Sequence, residues 1–305
     1  MLKKLAKNRL FSPIKISIYL IGCYERLIEN LFPNMSMIGR DEIIKNVDAD
    51  LKEVVHKTLS NQVVKFSLYT PNRLCNFRHN TFSSKEPEML KWIEEFGGGG
   101  AFYDIGANIG IYSIYHAKIH DGKVYSFEPS AFNLRQLSKN ISKNNLHNQI
   151  TIIPNPLSNT SGIATFTNGS DEEGGALSAF GVDHGYDGKP IRSEIKYNLM
   201  GFSLDDLFQN GSIPDSPSII KIDVDGIEHL ILKGAKNILR MNSLKSVFVE
   251  VNDDFQEQSS DVKKILREAG FSLSNKLHSD MMDKSEQFNR TYNQIWIKED
   301  DSLQN

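Results

Sequence analysis

From Ala101 onward the sequence alternates short runs of strand character with longer runs of helical spacing, and this alternation restricts the fold more than any other feature. Residues 101–105 read as strand, 109–120 as helix, 123–128 as strand, 132–144 as helix and 149–153 as strand. The pattern resumes with 218–224 as a nearly all-apolar strand, 227–241 as helix, 245–251 as strand and 261–269 as helix. Strands joined through helices need right-handed crossovers and form a parallel sheet covered on both faces. Residues 271–277 and 292–298 lie too close together for another crossover, so an antiparallel hairpin is expected at the sheet edge. The expected fold is α/β and Rossmann-like, with a mostly parallel seven-stranded sheet.

Upstream, residues 63–69 alternate and end at Pro71-Asn72, which reads as a strand entering a turn, with residues 73–77 as its hairpin partner. Met89, Leu90, Trp92, Ile93 and Phe96 have helical spacing, and Gly97 to Gly100 ends that helix. The expected organisation is a helical extension over residues 1–59, joined near Pro33, and a main domain over 60–300. That domain comprises an entering hairpin and helix at 60–100 and a core at 101–300. Between the two halves of the core, residues 162–200 are rich in Gly, Ser and Asp and read as an insertion near the carboxyl ends of the strands.

The N-terminus carries Lys3, Lys4, Lys7, Arg9 and Lys15 before its first acid, Glu25. Pro13 and Lys15 leave an apolar run of only residues 16–21, short for a signal core and far below the ~20 residues of a membrane span. Two readings stay open: a helix packed on the body of the protein, or a basic amphipathic helix making peripheral contact with an anionic membrane. A net charge of −3 argues against nucleic acid as the main partner. Two cysteines, Cys23 and Cys75, support neither a disulfide framework nor a thiolate zinc site, and fit a reducing, cytoplasmic setting.

Three short segments carry the chemistry. Asp104-Ile105-Gly106-Ala107-Asn108-Ile109-Gly110 follows a strand and opens a helix, and Gly106, Asn108 and Gly110 would let the backbone turn tightly against a ligand. The glycine pattern of a dinucleotide site is incomplete, and Asp104 would repel a pyrophosphate while attracting an ammonium. Glu128 closes the next strand, where a carboxylate can accept hydrogen bonds from both hydroxyls of a ribose. The run 219–229 ends a buried strand in Asp223 and Asp225, with Glu228 at the start of the helix. Clustered acids raise one another's pKa, which suits a general base, and they are also a donor set for a divalent cation. No metal is assigned. Glu250 and the histidines His79 and His184 are the next candidates, and His229 reads as a solvated helix residue.

With these segments in order, the chain resembles the FkbM family of methyltransferases over residues 63–298. The likeness rests on residues 104–110, on Phe127-Glu128-Pro129, and on residues 220–228 followed by Leu232-Lys233-Gly234-Ala235. Asp225 stands where the family often has Glu. The resemblance implies a class I methyltransferase fold with S-adenosylmethionine in the crevice, and O-methylation of a hydroxyl on a sugar, polysaccharide precursor or secondary metabolite. Asp104, Gly106, Asn108, Gly110 and Glu128 are then the expected cofactor residues, and Asp223, Asp225 and Glu228 the catalytic set. The acceptor is expected to meet residues 171–200 and 74–84. The rival readings are a nicotinamide-dependent oxidoreductase and a non-catalytic cofactor-binding module; oligomeric state stays open.

Overall fold

The structure is a computed structural model and describes residues 13–193, 195–278 and 285–299. The chain divides into two compact units, Met1–Asp50 and Leu51–Asn305. The first unit contains α1 (Pro13–Leu31) and α2 (Pro33–Asp48). Pro33 sits in the first turn of α2, where a missing N–H costs nothing. The Arg40 guanidinium on α2 donates to both carboxylate oxygens of Glu25 on α1, at 3.1 and 3.0 Å. Lys3, Lys4, Lys7 and Arg9 lie outside the described residues. Among the described residues, no helix is long and apolar enough to cross a membrane.

The second unit opens with β1 (Leu51–Lys57), which pairs antiparallel with β2 (Val63–Tyr69), Val54 standing opposite Phe66. This corrects two expectations. Helix stops at Asp48, and residues 51–57 form the hairpin partner that residues 73–77 were expected to supply. The reason is local: the Asn72 side chain accepts the Cys75 N–H at 2.8 Å and starts α3 (Arg73–Asn80) instead of a strand. Next comes α4 (Pro87–Phe96), whose Trp92 donates from its indole to Ser246 Oγ at 2.8 Å.

The core elements follow in chain order: β3 (Ala101–Ile105), α5 (Ile111–Ile119), β4 (Val124–Phe127), α6 (Ala131–Lys143) and β5 (Ile150–Ile153). The insertion forms β6 (Gly162–Thr167), β7 (Ala179–Phe180) and β8 (Lys196–Gly201), a separate three-stranded sheet in the order β7-β6-β8. The second half has α7 (Leu204–Gln209), β9 (Pro217–Ile222), α8 (Glu228–Lys233), α9 (Lys236–Leu239), β10 (Ser246–Asn252), α10 (Gln256–Glu268), β11 (Phe271–Leu277) and β12 (Thr291–Lys298). The seven-stranded sheet runs β11-β12-β10-β9-β3-β4-β5. Its pairs from β10 to β5 are parallel and its β11–β12 edge is antiparallel, as the sequence predicts.

Strand alternation splits the core in two. Tyr103, Ile105, Ile220, Ile222, Val247 and Val249 face one cluster, while Phe102, Ile219 and Phe248 face the other. The single helix expected over 227–241 is instead α8 and α9, broken at Gly234. A Cβ at Gly234 would come 2.3 Å from Ser158 O, and the Asp205 carboxylate accepts the N–H groups of Asn237 and Ile238 to start a new helix.

Candidate functional site

The carboxyl ends of β3, β4, β9 and β10 open on a cavity of about 520 Å³, within the range of small-molecule sites. Its walls include Gly106, Asn108, Glu128, Asp223, Asp225 and Glu250. At one wall the backbone is bare. Gly106 has φ +82, and a Cβ there would come 1.9 Å from Asp223 O, so the turns after β3 and β9 touch only because the residue is glycine. Gly110, at φ +85, caps α5 and faces Leu137 rather than the cavity.

Asp104 does not line the cavity. It is fully buried, accepts a hydrogen bond from Ser113 Oγ at 2.6 Å, and lies 3.2 Å from Lys221 Nζ. The sequence reading gave this carboxylate to a ligand ammonium; the structure gives it to Lys221. The same ammonium donates to Gly106 O at 2.9 Å and stands 3.7 Å from Asp223 Oδ2. Burial opposes its charge, but Asp104 and Asp223 outweigh that penalty and raise its pKa. Lys221 therefore forms the floor of the site and joins the two turns. It was legible as the one charged residue in an otherwise apolar strand.

Glu128 closes β4 with both carboxylate oxygens on backbone donors, Oε2 on Asn108 N at 2.8 Å and Oε1 on Ser130 N at 2.9 Å. Burial pushes its carboxyl up to about 7 against those hydrogen bonds. The Asn133 side chain adds a further hydrogen bond to the same carboxylate.

The three acids after β9 have different tasks. Asp223 is 30% exposed in the cavity. Asp225 has φ +64 and accepts the Leu177 N–H at 2.6 Å; burial, then the charge of Asp223, push it up to about 6. Glu228 lies outside the cavity, which corrects its expected catalytic place. It accepts the N–H groups of Val224 and Gly226, at 3.1 Å to each, and a bond from the Gln258 amide. Its carboxylate shapes the turn that presents Asp223 and Asp225. Glu250, at the end of β10, joins those two, with ligand oxygens of all three within 4.8 Å of one another. Burial and the two aspartates raise its pKa well above the usual range. Such a trio could hold a divalent cation.

A strap from Gly174 to Ser178 lines the cavity. Asn108 Nδ2 donates to Gly175 O at 2.6 Å, Asn133 Oδ1 accepts Gly174 N at 2.9 Å, and Arg78 holds Gly174 O through Nε at 2.9 Å and Nη2 at 2.7 Å. Beside Arg78, the Lys85–Glu86 ion pair lines the wall, and Tyr112 donates its hydroxyl to Glu86. Arg78 falls within the expected acceptor segment 74–84 and Lys85 lies one residue beyond it, whereas Asn133 carried no signal in the sequence, since only tertiary folding brings it here. His79 hydrogen-bonds Glu53 O, and neither it nor His184 lines the cavity. His229, expected to be solvated, is buried with its ring edge-on to Phe255.

The sequence profile of the methyltransferase FkbM domain matches residues 104–273. A hexuronic acid methyltransferase, AglP, of Haloferax volcanii is 31% identical over 184 residues, covering 59% of this chain and 66% of that protein, just short of two thirds of its length. Among solved structures, an FkbM methyltransferase from Methylobacillus flagellatus superposes with a TM-score of 0.43 at 15% identity, covering 65% of this chain and 43% of that one. A precorrin-6y C5,15-methyltransferase from Geobacter metallireducens gives 0.42 at 11% identity, covering 70% and 87%. With the profile match spanning residues 104–273 of 305, the chain belongs to the FkbM methyltransferase family.

Proposed function

We propose that this protein is an S-adenosylmethionine-dependent methyltransferase that methylates a hydroxyl oxygen of a sugar or sugar-containing acceptor. The observation that carries the reading is the composition of the cavity wall. A buried carboxylate, Glu128, and bare backbone at Gly106 line the cavity together with three further acids, Asp223, Asp225 and Glu250. A ribose finds an acceptor in Glu128, and a cationic sulfonium and ammonium find compensating charge in Asp223, the exposed acid of the group. The apolar side chains of Phe127, Leu157, Phe166 and Ile231 suit an adenine ring. A nicotinamide dinucleotide would set its pyrophosphate against the same acids, which disfavours the oxidoreductase reading.

Adenosylmethionine, when bound, would supply a sulfonium methyl group that the acceptor oxygen takes in line, the C–S bond breaking as adenosylhomocysteine leaves as a thioether. Asp223 is the residue we assign to take the acceptor proton. Asp225 is committed to Leu177 N and Glu228 to the turn, which leaves Asp223 as the exposed carboxylate of the original set. Lys221 holds it in place from below. Gly106, Asn108 and Glu128 bind the cofactor, Gly110 permits the helix start behind them, and Asp104 acts through Lys221. The hexuronic acid methyltransferase relative supports a sugar acceptor, and Arg78 and Lys85 are the cations that face it. Two free cysteines fit a cytoplasmic setting.

A second reading of the acids follows from their spacing: a divalent cation on Asp223, Asp225 and Glu250 would position the acceptor hydroxyl. The deciding experiment combines calorimetric titration of adenosylmethionine with transfer of a labelled methyl group to uronic acid and hexose glycosides, with and without chelator. Binding and transfer are expected. Absence of adenosylmethionine binding would overturn the reading, and transfer abolished by chelator and restored by magnesium would select the cation.

A further inference from the structure

We propose that the N-terminal helical unit is a docking surface for an anionic lipid bilayer. The inference stands apart from methyl transfer and rests on how apolar side chains and charges are distributed in this unit alone.

On α1, Leu20, Tyr24, Leu27 and Leu31 recur at helical spacing and form one stripe, each more than half exposed, from 56% for Leu27 to 65% for Tyr24. On α2, Ile43 and Ile44 are exposed at 59% and 58%. Contiguous apolar faces of this kind are rare on soluble surfaces and mark an interaction site. Glu25 of α1 is turned away from the stripe and held by Arg40 of α2. Charge identifies the occupant: Lys3, Lys4, Lys7, Arg9 and Lys15 precede the first acid, Glu25, in a chain whose net charge is −3. Cations concentrated in the sequence ahead of an apolar-striped helix complement phosphate headgroups while the stripe enters the acyl boundary. A protein partner would need no such segregation. No described helix is long and apolar enough to cross a bilayer, and the proposed contact is in the interface plane.

The test is sedimentation of the full chain with vesicles of phosphatidylcholine alone or mixed with phosphatidylglycerol. We expect binding to the anionic vesicles, weakened by salt at about 0.5 M. Leu20→Gln/Leu27→Gln removes apolar contact without changing charge, and Lys3→Gln/Lys4→Gln/Lys7→Gln removes charge without changing the stripe. Each should lower binding by about tenfold or more. A full chain that stays in the supernatant, equal binding to neutral vesicles, or a leucine variant that binds like wild type each overturns the proposal. A dimer seen by light scattering that the leucine variant dissociates, with no vesicle binding, assigns the face to a second copy instead.

Discussion

Asp104 and Lys221 are register partners on adjacent parallel strands, and their charged ends meet 3.2 Å apart where both side chains are almost wholly excluded from water. A buried pair of this kind contributes little beyond an apolar pair, but breaking it strands a charge. Lys221→Met is expected to lower stability by about 3–5 kcal/mol in urea denaturation. Adding Asp104→Asn to that variant should recover part of the loss. A single variant as stable as wild type would show that the pair carries no such weight.

Glu128→Ala should weaken adenosylhomocysteine by about 1.5–3 kcal/mol, the range for hydrogen bonds to a charged group. Burial lifts the Glu128 carboxyl to about 7, so its ionised, better-accepting form dominates only above that pH. Affinity should therefore rise by up to about tenfold from pH 6 to pH 8, and Glu128→Gln should flatten the rise. Calorimetry at the two pH values decides; an unchanged affinity in the folded alanine variant removes Glu128 from the site.

Asp223→Asn preserves shape and removes charge. Cofactor affinity should persist while the single-turnover rate falls at least about tenfold, a cautious bound on the loss of a general base. Rapid-quench assays with excess protein measure this directly. A wild-type rate in metal-free buffer would discard both the base and the cation role and direct attention to Glu250.

Glu228 is expected to act on stability. Glu228→Ala leaves the Val224 and Gly226 N–H groups without their acceptor, at a cost of about 1–3 kcal/mol. Burial raises the folded pKa of Glu228 to about 7 from the ordinary 4.5. Its contribution is thus fully present below about 4.5 and declines as pH rises through about 7. The deficit of the variant in thermal melts should be larger at pH 5 than at pH 8. A melting temperature equal to wild type at both would refute this role.

The sheet was legible because its central strands, such as Pro217–Ile222, are buried on both faces and so nearly all apolar. The cavity-lining acids were legible where they coincide with a strand end, as at Glu128 and Asp223. Asp104 was misplaced because its direction depends on strand alternation, which turns it to the Phe102 face, and on pairing with a residue 117 positions away. That pairing is tertiary, as is the burial of His229 under Phe255. Arg78 falls in the expected segment 74–84, but the Asn72 cap presents it from a helix where β-character was expected.

The strap from Gly174 to Ser178 is fastened to Asn108 and Asp225, side chains that also face the cavity. The same two side chains thus serve the segment and the pocket at once. A ligand that competes for Asn108 or Asp225 loosens the strap as it binds, and one that leaves them untouched is closed in.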